Sequence, residues 1–145
     1  ATVMRDGCRA SLAGRVVFCP GVCRIPHAGH AWMLDWAKRQ GDTLIVGVND
    51  DVSAFRVKQG AYCLPVQQRV RMLASMQCVD WVVPFGDNTP VELMQVLGLL
   101  PTDLMVKGYD RTGESIPGEE LCQTLIAPPG PFPAHAGDIV KSIRG

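Results

Sequence analysis

Short apolar, β-branched runs alternate along this chain with stretches whose apolar residues recur at helical spacing. "GRVVFC" (14–19) ends at Pro-Gly and reads as a buried strand. Residues 28–40 place Met33, Leu34, Trp36 and Ala37 at helical spacing, and Gly41 follows as a stop. "DTLIVGVN" (42–49) is a second strand, so residues 14–49 form a βαβ unit. The alternation continues with an amphipathic helix over 65–76, its Val66, Val70, Leu73 and Ala74 facing inward. A strand over 79–85, a helix over 89–100 and a strand over 103–108 come next. A short helix in "PGEELCQ", a last strand "TLIA" and a final helix in "GDIVKSIR" close the pattern.

Five strands alternating with helices predict an α/β domain, a Rossmann-like doubly wound parallel sheet covered on both faces. Residues 1–13 lack periodicity and read as an arm before a single domain over 14–145. Ligands of such sheets bind beyond the carboxyl ends of the strands, here 19–30, 49–58, 107–111 and 128–137. The chain ends in "VKSIRG" on a helical pattern without a polar tail, as expected of one domain of a longer polypeptide.

Composition narrows the partners. Fourteen basic and fourteen acidic residues cancel, which leaves no global field for nucleic acid. The apolar runs are too short to span a bilayer, and no signal segment opens the chain. A cytoplasmic protein acting on small molecules is expected. In that compartment the six cysteines read as small hydrophobes rather than bridges.

One segment concentrates chemistry. "CPGVCRIPHAGH" (19–30) holds Cys19, Cys23, His27 and His30. These residue types allow a zinc site, a disulfide loop, histidines that only cap and pack, or a phosphate-binding loop. Zinc needs four converging ligands, yet Cys19 ends a strand while the histidines open a helix. The helix start offers free N–H groups and a positive dipole end, both suited to phosphate. Histidines at i and i+3 share a face, and Gly29 between them removes a side chain that would block a nucleotide.

"VVFCPGVCRIPHAGHAWML" resembles the H-x-G-H signature of the nucleotidylyltransferase superfamily. "GDTLIVGVNDDVSAFRVKQGAY", "QQRVRMLASMQCVDWVVPF" and "PTDLMVKGYD" follow in the order of bacterial cytidylyl- and heptose-phosphate nucleotidylyltransferases. Most narrowly, the chain resembles the cytidylyltransferase domains fused to phosphoenolpyruvate phosphomutase in fosfomycin biosynthesis. That likeness implies transfer of CMP from CTP to 2-hydroxyethylphosphonate with release of pyrophosphate, in a chain carrying a second catalytic domain. The alternatives are a cytidylyl- or adenylyltransferase for a sugar or alcohol phosphate, such as heptose phosphate or glycerol phosphate, and a nucleotide-binding regulatory domain without turnover.

The resemblance implies roles residue by residue. His27, His30 and Lys58 are its catalytic groups. Phe18, Cys19, Pro20, Gly29, Lys107, Gly108 and Asp110 would meet the nucleotide. Arg69 and Arg71 lie on the third block's helix, where one of them would support the phosphate site. An acidic residue usually stands three before the first motif histidine; here it is Arg24, which suits phosphonate oxygens and so a small anionic acceptor. Near the C-terminus, "PAHAGDIV" replaces a Ser/Thr-rich segment, leaving His135 and Ala136 at the triphosphate. Mg²⁺, held mainly by CTP phosphates, is the implied ion, with no metal site built from protein ligands. Homodimers are common among such enzymes, and Trp32, Trp36 and Trp81 are the large aromatics that could supply an apolar face.

Overall fold

The computed structural model describes residues 2–3, 14–86, 91–92, 94–95, 98, 103–111, 113, 115–116, 118–132 and 143. Its strands are β1 (Thr2–Val3), β2 (Val16–Gly21), β3 (Thr43–Asn49), β4 (Trp81–Phe85), β5 (Leu104–Lys107) and β6 (Gln123–Ile126). Its helices are α1 (Ala28–Lys38), α2 (Asp51–Val57) and α3 (Val66–Ala74). The sheet is parallel throughout, in the order β1-β4-β3-β2-β5-β6. The five expected strands are there, and the fold is the expected Rossmann-like one. A sixth lies inside the segment read as an arm: Thr2 and Val3 pair with Trp81 and Val82. Two residues are too few to leave a periodic signal.

Period-two alternation sends side chains to two cores. Val17, Cys19, Leu44, Val46, Val82, Leu104 and Val106 pack with Leu34 and Ala37 of α1 and Leu73 of α3. Val16, Phe18, Ile45, Val83 and Met105 pack on the other face with Met94 and Ile116. Val66, Val70 and Ala74 lie partly buried against the first core, as their spacing predicted. Gly47 makes room in the second: a Cβ there would stand 2.9 Å from the Phe18 ring.

Three aspartates accept the strand N–H groups at the amino edge of the sheet. Asp103 accepts from Val16 at 3.0 Å, Asp80 from Leu44 at 2.8 Å and Asp42 from Arg15 at 2.8 Å. The opposite, carboxyl edge opens into a cavity.

Strand β2 continues two residues past its expected end at Cys19, through Pro20 and Gly21. Its ladder with β5 covers only Val17 and Phe18, so Pro20, which has no N–H, adds to a ladder on the β3 side alone. Helix α2 lies in the 49–58 segment, for which the periodicity predicts no element. Asp50 caps it by accepting from the Ser53 N–H at 2.9 Å. Val91, Glu92, Met94 and Gln95 are helical inside the helix expected over 89–100, and the "PGEELCQ" helix is a 3-10 turn at Glu119–Leu121. Of the last expected helix only Ile143 lies among the described residues, and it is helical.

The three tryptophans expected to supply an apolar face are each half-buried. Trp36 and Trp81 pack partly buried against the two cores, and Trp32 lies under Gly130. Val52, Phe55, Val57 and Tyr62, on α2 and the loop after it, are each more than half exposed. No helix among the described residues is long and apolar enough to cross a membrane.

Candidate active site

Strand order reverses between β2 and β5, and there a cavity of about 610 Å³ opens at the carboxyl edge. Its floor is Cys19, Pro20 and Gly21 at the end of β2, with Lys107 and Gly108 at the end of β5. One side is the start of α1 and the other is Asn49, Val57 and Lys58.

The histidines are fixed by reciprocal capping of α1. The N-cap His27 accepts from the Gly29 N–H through Nδ1 at 3.0 Å. His30 accepts from the His27 N–H through its own Nδ1 at 3.2 Å. The two rings stack at 3.9 Å between centroids, tilted by 33°. A ring nitrogen that accepts must present a lone pair, so each neutral ring carries its proton on Nε2. Two Nε2–H donors are thereby oriented together at the positive end of an eleven-residue helix whose first turn holds no acid.

Around them the lining is cationic. Among the described residues, Arg24, Lys58, Lys107 and Arg111 line the cavity against a single acid, Asp110. A neutral chain thus concentrates positive charge where an anionic ligand would sit. Lys107 is buried and pairs with Glu119 at 3.4 Å. Hydrogen bonding and the Lys107 ammonium draw the Glu119 carboxyl below its usual range, although partial desolvation opposes them. Lys58 ends α2, exposed, ahead of two residues in left-handed backbone, Gln59 (φ 53°) and Gly60 (φ 80°). Arg24 donates through Nε to the Tyr62 carbonyl at 2.6 Å, which tethers the β2–α1 loop to the segment after Lys58. Burial pushes the Cys19 thiol up to about 12, with nearby Cys23 adding to the shift. Desolvation likewise carries Cys23 to about 11. Both thiols are neutral apolar lining at physiological pH, and both are free.

The cavity therefore brings together His27, His30, Lys58, Cys19, Pro20, Gly29, Lys107, Gly108, Asp110 and Arg24. It does not include three residues expected there. Phe18 is wholly buried on the far face of the sheet, because its place in β2 alternates with Cys19. Arg69 is wholly buried too, its guanidinium donating to the carbonyls of Leu64, Val22 and Asn49 at 2.6, 2.9 and 2.6 Å. Arg71 is exposed on α3, away from the cavity. His135 and Ala136 lie outside the described residues.

Sequence reasoning missed Trp32 and Met33, and it placed the 107–111 and 128–137 segments at the crevice without singling out Tyr109, Arg111 or the Pro-Pro-Gly wall at 128–130. Arg111 had a signal, since it closes the segment that follows β5. The wall's place followed from its position after β6, but its contact with α1 had no signal: a Cβ on Gly130 would stand 2.7 Å from the Trp32 ring, 98 positions distant. Among the described residues, no three His, Cys, Asp or Glu side chains are grouped so as to hold a metal ion.

Comparison with known proteins agrees with this geometry. The Cytidylyltransferase-like family matches residues 18–119. The Bifunctional protein HldE of Alkalilimnicola ehrlichii is 45% identical over 107 residues, covering 73% of this chain and 22% of that protein. The HldE of Halorhodospira halophila is 38% identical over 142 residues, 94% of this chain and 29% of its own length. The chain thus spans under a third of these relatives. A lipopolysaccharide core biosynthesis protein from Thermoplasma volcanium shares the fold, with a TM-score of 0.69, 20% identity and coverage of 81% and 99% of the two chains. The cavity at the strand reversal, the paired histidines that open α1 and the match across both place this chain in the cytidylyltransferase-like family of nucleotidyltransferases.

Proposed function

We propose that this domain transfers a nucleoside monophosphate from a nucleoside triphosphate to a sugar phosphate of the heptose phosphate kind, releasing pyrophosphate. The histidine pair carries the reading: two imidazoles, each held through Nδ1 by the backbone at a helix start, line a cationic cavity. The resemblance of the sequence blocks to bacterial heptose-phosphate nucleotidylyltransferases supports the acceptor, and the relatives matched are bifunctional proteins named HldE. They favour it over the phosphonate acceptor of the narrower resemblance. Arg24 suits either, because both acceptors present a dianionic head. The bifunctional relatives also support a domain that works beside a second catalytic unit.

In this mechanism an acceptor phosphate oxygen attacks the α-phosphorus of the triphosphate. A phosphorus–oxygen bond forms to the acceptor, and the bond to pyrophosphate breaks. The attacking oxygen is already anionic near neutral pH, so no general base is needed and catalysis is alignment with charge neutralisation. His27 and His30 donate to charge growing on the phosphate oxygens. Lys58 and Lys107 supply further positive charge, and Arg24 holds the acceptor. Mg²⁺ fits this lining: such an ion takes substrate phosphates, waters and one or two carboxylates, and among the described residues Asp110 offers a carboxylate at the cavity. When bound it would neutralise triphosphate charge.

Pyrophosphate release, measured for four nucleoside triphosphates against heptose phosphate, glycerol phosphate and 2-hydroxyethylphosphonate, tests the reading. CTP or ATP with heptose phosphate is expected to turn over fastest. Preference for the phosphonate would restore that acceptor, and no release from any pair by folded protein would end the transferase reading.

A further inference from the structure

Among the described residues Arg69 is the largest fully buried side chain, and the acid that pairs with it, Asp51, is exposed. Its charge is also met by backbone carbonyls from separate segments. Nη1 donates to Val22, in the loop that leads from β2 to His27, and to Asn49, at the end of β3. Nε donates to Leu64, beyond Lys58 in the α2–α3 segment. Nη2 meets Asp51 Oδ1 at 3.0 Å, at the first residue of the helix that Lys58 terminates. The same oxygen accepts from the Val66 N–H at 2.8 Å, at the start of α3. The guanidinium therefore links the histidine loop to both ends of the Lys58 segment. Arg24 adds a second link, with its carbonyl accepting from the Leu64 N–H at 2.9 Å.

Burying a guanidinium is unfavourable unless every donor is met, and removing a partner leaves an uncompensated charge. A planar fork with fixed donors suits simultaneous contact with several carbonyls, which a lysine ammonium cannot reproduce. Such a hub stabilises one relative placement of the loops it joins.

We propose that the Arg69–Asp51 pair is a positioning device that sets Lys58 against the His27–His30 pair. The inference deepens the transferase reading and rests on it for the role of Lys58. It assigns Arg69 a part in the reaction although its side chain never reaches the cavity. It also makes Asp51, whose side chain is 60% exposed, a functional residue on an otherwise ordinary surface.

Asp51→Asn keeps the shape and removes the charge from a solvent-exposed partner, so the fold should survive; Arg69→Lys is the companion variant. Two measurements apply. First, trypsin cleavage after Lys58, followed by mass spectrometry on the nucleotide-free protein, should be several-fold faster in Asp51→Asn at an unchanged Tm. Cleavage at the wild-type rate in Asp51→Asn would overturn the proposal, whatever Arg69→Lys does. Second, Asp51→Asn should lower kcat by roughly tenfold, the scale of one lost charge-assisted contact, with a smaller change in KM for nucleotide. In a Lys58→Ala background the same substitution should cost less than about twofold, because it acts through Lys58. An equal loss in both backgrounds would show a merely structural role. If wild-type protein releases no pyrophosphate, the transferase reading fails by itself, and the proteolysis result still decides whether the pair positions the loop.

Discussion

His27 and His30 each close a hydrogen bond on the other's stretch of backbone, and their stacked rings share one tautomer. Under the proposed function, capping and catalysis are carried by the same two side chains. His27→Asn separates them: asparagine is a good N-cap but offers no imidazole donor. It should retain helix stability, whereas His27→Ala should lose about 1 kcal/mol. Both should slow the chemical step by ~2.7–4 kcal/mol, two to three orders of magnitude. Single-turnover kinetics beside thermal melts checks this, and a normal chemical step in His27→Asn would show that the ring only caps.

Arg24 lines the cavity while its Nε holds the Tyr62 carbonyl, which leaves the terminal nitrogens as the donors for an acceptor. Arg24→Lys keeps the charge but loses the fork, and should cut kcat/KM for the acceptor by roughly tenfold to hundredfold. Arg24→Asp should be worse than Arg24→Ala, since it sets like charge against the phosphate. Nucleotide affinity should change little in all three. Identical acceptor kinetics for the Ala and Asp variants and wild type would make Arg24 a bystander.

The wall opposite α1 depends on a missing side chain. A Cβ on Gly130 would stand 2.7 Å from the indole of Trp32, so Gly130→Ala must displace one of them. Overpacking of this kind costs about 1–3 kcal/mol. A lowered Tm, altered tryptophan fluorescence and weaker nucleotide binding are expected together. A variant unchanged in all three would place the wall elsewhere in solution.

Burial raises the Cys19 thiol from an ordinary 9.0 to about 12. The folded protein thus keeps a proton that the unfolded chain gives up. The resulting stabilisation is fully present below pH 9 and is lost as pH climbs toward 12. Cys19→Ala should flatten the alkaline limb of stability. Iodoacetamide should leave Cys19 unmodified at neutral pH in native protein; rapid labelling there would contradict its burial.

EDTA should abolish pyrophosphate release, and added Mg²⁺ should restore it, with circular dichroism unchanged throughout. The ion is expected to arrive with the triphosphate, since the described residues group no three ligands for it. Stoichiometric zinc in freshly purified protein, with unfolding on chelation, would return the cysteine–histidine cluster to a structural role.

The order of elements was legible before any coordinates, because strand and helix periodicities are local properties of the chain. So was the loop that matters. Histidines at i and i+3, opening a helix after a buried strand, place donors at the carboxyl edge of the sheet under any parallel topology. Lys58 and the Lys107–Gly108–Asp110 segment follow from the same rule. Helix α2 had a local signal in Asp50 that went unread as a cap.

Pairing across the sheet decided the rest. Whether Phe18 or Cys19 faces the cavity depends on the register of β2, and one residue reverses the answer. A sequence shows that Arg69 is charged but not that carbonyls of Val22, Asn49 and Leu64 converge on it from three separate segments. In one dimension Arg69 and Arg71 look alike, two residues apart on an amphipathic helix. Only packing buries the first against the site and turns the second to solvent. Trp32 meets Gly130 for the same reason: contacts between distant segments arise when elements dock, and local pattern carries no record of them.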